Sequence, residues 1–351
     1  MPGQPSARWQ AEIEERARRR LPAPVFEYLT QGAREGVTAA EAARWGDVRF
    51  APHVLRDVTG VDLATDLVGS AVGVPWGVAP TTLHGAVHPD GELGMARACA
   101  DQGVLMVVSS NAGTAFEAIG DTGVAWWVQV YLPADRTLAV PLLERATAAG
   151  ARPAVLTVDT PVVGTKYVAG PSVWDQMDPA LVRVNFDPGY DEQPGSEKAL
   201  DLGPHDVGWL GEQTGLPVVV KGVLRSDDAR RGVDAGAAAV WVSNHGGRQL
   251  DRALATSDAL PAVAAEVGAD AQVYVDGGIR SGLDVLAALA LGADAVFLGR
   301  LPALALADGR DGVADLLSRL REEGEEALRL AGCRTPADTR GIAVRTRHNR
   351  T

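Results

Sequence analysis

The chain has 351 residues, enough for two average domains or one large α/β barrel. Apolar residues make up 46%, so a full core can form, and a formal net charge of −12 argues against a general nucleic-acid or anionic-membrane surface. Two cysteines, Cys99 and Cys333, provide neither a disulfide framework nor a metal cluster and fit a reducing cytoplasm.

Residues 1–50 are charged and helical in pattern, and are expected to cover the barrel bottom or reach over to its rim. They lack the apolar core of a signal peptide, and no window in the chain reaches eighteen consecutive apolar residues. A cytoplasmic protein with no membrane contact is expected.

From there, short apolar runs alternate with helical stretches. Strands are predicted at 74–82, 105–111, 125–132, 154–161, 217–223, 239–246, 272–278 and 295–300. Helical stretches such as DGELGMARACADQG and SGLDVLAALALG lie between them, several opening on Ser or Asp and closing on Gly. Eight βα units predict a (β/α)8 TIM barrel over 70–335, within a single domain spanning 1–351. A doubly wound open sheet is the alternative, disfavoured because no G-x-G-x-x-G turn follows the first strand. Residues 162–216, after the fourth strand, form the longest interval and read as a long lid loop, rich in Pro, Gly and acids.

In such a barrel, chemistry gathers at the carboxyl ends of the strands. Each predicted strand here ends in polar residues: Pro80, Thr81 and Thr82; Ser109 and Asn111; Gln129 and Tyr131; Thr157 and Asp159; Lys221; Ser243 and His245; Asp276 and Arg280; Gly299 and Arg300. Eight coincidences are hard to assign to helix capping. The sixth strand runs into SNHGGRQLD, which presents His245 and Arg248 from one short turn, a base beside a cation. The glycines and arginines of DGGIRSG and LGR, after the last two strands, suit a phosphate.

The stretches VVVKGVLRSDDARRGVDAGAAAVWVSNHGGRQLD (218–251) and DGGIRSGLDVLAALALGADAVFLGR (276–300) carry a close resemblance. The chain resembles the FMN-dependent α-hydroxy acid dehydrogenases and oxidases, the family that includes glycolate oxidase and mandelate dehydrogenase, from about residue 20 to about residue 335. The resemblance implies oxidation of an (S)-2-hydroxy acid to the 2-oxo acid. It implies flavin contacts at Pro80, Thr81, Thr82, Ser109, Gln129, Thr157, Lys221, Ser243 and His245, and at Asp276, Gly278, Arg280, Gly299 and Arg300. His245 matches the base and Asp159 the carboxylate that orients it. Arg248 matches the carboxylate ligand, and Tyr131 and Tyr28 the hydroxyls beside it. Lys221 suits the N1/O2 edge of a reduced flavin. A homotetramer is also implied.

The chain departs from the family pattern near the substrate. Lys166 stands where the family has an arginine, and a lysine lacks the planar fork. Ala169 replaces an aspartate, and Thr82 an Ala or Gly. Asn111 stands where glycolate oxidase has a tryptophan, and Val163 where it has a leucine. A larger, more polar pocket is expected, taking a bulky or aryl substrate of mandelate type. The other two readings are a flavin enzyme acting on an amino acid derivative or modified peptide, and a catalytically weak flavin-binding protein. No haem domain or second cofactor motif is read in the chain, so the expected acceptor diffuses in, oxygen first. The other histidines (His53, His84, His88, His205 and His348) are expected to be structural or on the surface.

Overall fold

The computed structural model describes residues 8–344 except Val168, Ala169 and Pro171. Eight parallel strands close into a barrel: β1 (Trp76–Val78), β2 (Leu105–Ser109), β3 (Trp126–Val130), β4 (Ala154–Thr157), β5 (Val218–Val223), β6 (Ala239–Val242), β7 (Gln272–Val275) and β8 (Ala295–Leu298). Strands pair in chain order, and the ring closes where Val296 of β8 faces Trp76 of β1. All eight lie inside the predicted runs. The observed strands are shorter, most of them because the polar residues at the carboxyl end leave the ladder and turn into the rim; β5 runs to Val223 and lacks only the first predicted residue.

Alternation along the strands sorts their side chains into two apolar layers. Val107, Trp127, Val155, Val219, Trp241, Tyr274 and Phe297 point into the barrel, while Met106, Val108, Val128 and Leu156 face the surrounding helices. The barrel interior is unusually aromatic: Trp241 stacks on Phe297 with ring centroids 3.9 Å apart, and Trp127 lies 5.6 Å from Tyr274.

The amino-terminal mouth is plugged by a hairpin, Thr65–Leu67 paired with Ser70–Val72, which the strand count did not contain. Its Leu67 and Val72 join the inner layer, and Ser70 accepts a hydrogen bond from the Trp127 indole at 3.0 Å. The first fifty residues reach the opposite face. Helix α1 (Trp9–Arg20) leads into α2 (Ala23–Thr30), and α2 ends at the rim formed by the carboxyl ends of the strands.

The interval after β4 is only partly loop. Residues His205–Thr214 form the helix that completes the fourth βα unit, which corrects the reading of 162–216 as one long loop. Val207, Leu210 and Thr214 are buried at helical spacing, but Gly208 and Gly211 weaken the helical signal. The preceding stretch is anchored too. Backbone bonds Ala134→Glu197, Asp135→Gly195 and Ala199→Leu132 staple it to the chain leaving β3. The Ala169 departure and His348 lie outside the described residues.

Candidate active site

A cleft opens at the carboxyl ends of the strands, and most of the polar residues singled out above line it. Pro80, Thr81, Thr82, Ser109, Asn111, Tyr131, Thr157 and Lys221 come from the first five units. His245, Arg248, Asp276, Gly278, Arg280, Gly299 and Arg300 come from the last three, and Tyr28 from α2. Gln129 and Ser243 are fully buried just behind the lining.

The turn after β6 is held in an unusual shape. His245, Gly246 and Gly247 have φ values of 55°, 62° and 73°, three successive residues in the left-handed region. Glycine serves at the last position because a Cβ there would collide with the backbone of Ala39. His245 tolerates the conformation because its backbone N–H donates to the Ser243 hydroxyl at 3.0 Å, and its ring is tied down. Its Nδ1 lies 3.0 and 3.2 Å from the two Asp159 carboxylate oxygens. That arrangement places a proton on Nδ1 and leaves Nε2 as the acceptor. Burial alone would raise the Asp159 carboxyl, but His245 and Lys221 outweigh it and hold the group below the usual carboxylate range.

Two arginines cap the end of α2. Arg248 Nη1 donates to the carbonyls of Tyr28 at 2.6 Å and Gln31 at 3.1 Å. Arg300 donates to Leu29 at 3.1 Å and Gln31 at 3.0 Å. The last carbonyls of a helix lack intrahelical partners and carry partial negative charge, so they suit cations. Only one corner of the Arg248 fork is used, and the guanidinium also covers the Tyr28 ring at 4.6 Å. Tyr131 is pushed up by burial, then by the charge of Asp159 and by Tyr28, so its hydroxyl stays protonated and able to donate.

Lys221 forms the floor. Its Nζ donates to Ser243 Oγ at 3.0 Å and lies 3.1 Å from Asp276, while Ser243 donates onward to Asp276 at 2.6 Å. Gly278 has φ 107°, and a Cβ there would run into the Ala42 backbone, so only glycine brings β7's loop this close to the amino-terminal segment. Arg280 pairs with Glu14 of α1 at 3.3 Å.

Two expected substrate contacts stand elsewhere. Val163 is 69% exposed and lies outside the cleft lining. Lys166 turns away from the cleft because Nζ donates to the carbonyls of Gly164 at 2.7 Å and Arg248 at 2.8 Å, so it props the backbone that carries Arg248. Burial, with Arg248 and Lys198 nearby, lowers Lys166 to about 8.

Other residues at the site escaped the sequence patterns. His84, set aside as structural, is buried and bonds the hydroxyl of Thr81 through Nε2. Arg183 pairs with Asp191 at 2.7 and 2.8 Å and donates to Asn111 Oδ1 at 2.9 Å. Lys198 lies over the Tyr131 ring, 3.9 Å from its centroid. A signal for Lys198 did exist. Lys166, Lys198 and Lys221 are the three lysines among 33 basic residues; Lys221 lines the cleft, while Lys166 and Lys198 lie against the residues Arg248 and Tyr131 that line it.

The model for the FMN-dependent dehydrogenase family matches residues 17–346. Glycolate oxidase 3 of Arabidopsis thaliana is 36% identical over 349 residues, covering 95% of each chain. Human 2-hydroxyacid oxidase 1 is 37% identical over 344 residues, covering 92% of each. A crystal structure of mandelate oxidase with (S)-4-hydroxymandelic acid superposes with a TM-score of 0.87 at 37% identity, over 95% of this chain and 97% of that one.

Proposed function

The chain belongs to the FMN-dependent dehydrogenase family, a flavoprotein family of 2-hydroxy acid oxidation, and on that premise we propose which of its residues do the work, on what substrate and with what acceptor. The cleft fits FMN. Gln129 Nε2 and Thr157 Oγ1 are buried without a hydrogen-bond partner, a costly state that a polar ring edge would relieve. Burial, together with the neighbouring Arg248 and Arg280, pushes Arg300 down to about 10, as expected of clustered cations awaiting an anion. Arg280 and Arg300, with the loop at Gly278 and Gly299, would hold the phosphate. Lys221 would face the ring edge that gains negative charge. FMN held there would supply the two-electron acceptor for oxidation of the substrate.

His245 Nε2 takes a proton from the substrate, and the two arms of Asp159 hold the imidazole upright and stabilise it once charged. The free part of the Arg248 fork and the Tyr131 hydroxyl bind the substrate carboxylate. Tyr28 packs under Arg248 and fixes its height. Lys166 acts indirectly, by fixing the carbonyl of Arg248. The observation that carries this assignment is the His245–Asp159 pair at 3.0 Å, standing over the same cleft as Arg248 and Lys221.

The substrate is an (S)-2-hydroxy acid larger than glycolate, because Asn111 leaves the cleft wall short and polar. An aryl side chain is a second reading, favoured by the likeness to mandelate oxidase. The acceptor is oxygen, giving hydrogen peroxide, as the names of the related oxidases suggest. Anaerobic mixing with a panel of 2-hydroxy acids tests the assignment. Bleaching of the flavin by at least one of them is expected, and no bleaching by any would overturn it.

A further inference from the structure

Most cations around the cleft already have partners. Arg183 is paired with Asp191, Lys221 with Asp276 and Arg280 with Glu14. Lys166 is spent on two carbonyls. Among the described residues the Lys198 ammonium has neither a hydrogen bond nor an ion pair within bonding distance, and it rests on the face of the Tyr131 ring.

This ammonium is not a loose surface group. The backbone bonds Ala134→Glu197 and Ala199→Leu132 fix Lys198 opposite Pro133, on the chain that leaves β3 just after Tyr131. The side chain is half-buried; burial lowers its pKa, the charge of Asp159 opposes that shift, and Arg183 adds to it. Asp159, already bonded to His245, offsets only part of that cost, so a partly desolvated cation without a direct ion pair is stabilised when a further anion arrives. The chain uses arginine almost everywhere else, so the lysine stands out.

The adjoining wall is polarised in the same sense. Asn111 Oδ1 accepts from Arg183 at 2.9 Å, and its backbone carbonyl accepts from the Thr82 hydroxyl at 2.6 Å. Both acceptors of Asn111 are therefore occupied. Its Nδ2 has no partner among the described residues and is left as a donor at the cleft wall. The Arg183 contact also settles the amide orientation, because a guanidinium can bond only to the oxygen side. Lys198, seated on the Tyr131 ring, and the Asn111 amide thus offer a charge and a donor on the side of the cleft that carries Tyr131.

We propose that this enzyme prefers 2-hydroxy dicarboxylates, with Lys198 and the Asn111 amide binding the distal carboxylate. The proposal rests on the 2-hydroxy acid reading above and sharpens it. Lys198 is a specificity residue: the reacting carbon, Arg248 and His245 serve a monoacid and a diacid alike. The Arg183–Asp191 pair fixes the amide that faces the substrate.

The test uses the FMN-loaded full chain. Flavin spectral perturbation gives Kd for 2-oxoglutarate and for the chain-matched monoacid 2-oxopentanoate. Anaerobic flavin reduction compares (S)-2-hydroxyglutarate, (S)-2-hydroxypentanoate and (S)-mandelate. The diacid is expected to bind and react at least about tenfold better than the monoacid, the scale of one charge-assisted contact. Lys198→Met is expected to remove that ratio, and Lys198→Arg to restore most of it. A lost packing role would lower both acids together and leave the ratio intact, which would overturn the proposal. Equal or better use of the monoacid or of mandelate by the unaltered enzyme would overturn it as well. Should no 2-hydroxy acid reduce the flavin, both this proposal and the functional reading beneath it fail.

Discussion

Arg248 and Arg300 meet at one oxygen, the carbonyl of Gln31, at 3.1 and 3.0 Å. Two cations from β6 and β8 loops thus share the end of α2, and the amino-terminal segment becomes part of the site. Each guanidinium keeps further N–H groups for an anion. The shared carbonyl also explains why residues 28–31 matter although they precede the barrel.

Arg300→Ala is expected to weaken FMN binding at least about tenfold, the scale of a buried charge-assisted contact. It should also lower Tm, because the carbonyls of Leu29 and Gln31 lose their donor. FMN fluorescence on dilution measures the first effect and thermal unfolding of the apoprotein the second. Unchanged FMN retention would place the phosphate elsewhere.

Lys166 gives a pH signature. Its folded value of about 8 lies below the ordinary lysine value of 10.5, so the fold disfavours its charge. That penalty is present below about pH 8 and is relieved as pH rises from there toward the unfolded value. The positive charge near Arg248 fades over the same range. KM for a 2-hydroxy acid should therefore rise between pH 7 and pH 9, and Lys166→Met should flatten that limb while raising KM at pH 7. A parallel KM profile in the two proteins would remove Lys166 from substrate binding, direct or indirect.

Thr82 bears on the acceptor. Its hydroxyl is tied to the Asn111 carbonyl at 2.6 Å, which holds the methyl group in one place at the cleft wall. Thr82→Gly should speed reoxidation of the reduced enzyme in air-saturated buffer by opening space there. Stopped-flow traces of both proteins decide it. Reoxidation far slower than turnover with a quinone dye in the unaltered enzyme would make it a dehydrogenase.

Much of this was legible in the sequence, for a physical reason. The strands are buried on both faces, so they appear as uninterrupted apolar runs, and the polar residue ending each run lands on the rim. Tyr131, His245 and Arg248 were found that way. Contacts that depend on loop conformation were not. The plug hairpin at 65–72 is too short to stand out, and the helix at 205–214 was hidden by its glycines. Lys166 sits at the position expected of a substrate ligand, yet two nearby carbonyls capture its amine. Lys198 comes to Tyr131 through backbone pairing between 132–135 and 195–199, which no local pattern encodes.

The most direct test of the central assignment is single-turnover flavin reduction by His245→Ala and Asp159→Asn under anaerobic conditions. Both variants should keep FMN, since neither side chain is assigned to the phosphate or the ring edge. His245→Ala should slow reduction by about 10²–10⁴-fold, the usual contribution of a positioned base. Asp159→Asn should slow it as well, because an amide cannot stabilise the charged imidazole. FMN-loaded His245→Ala that is reduced at a near-normal rate would contradict the assignment.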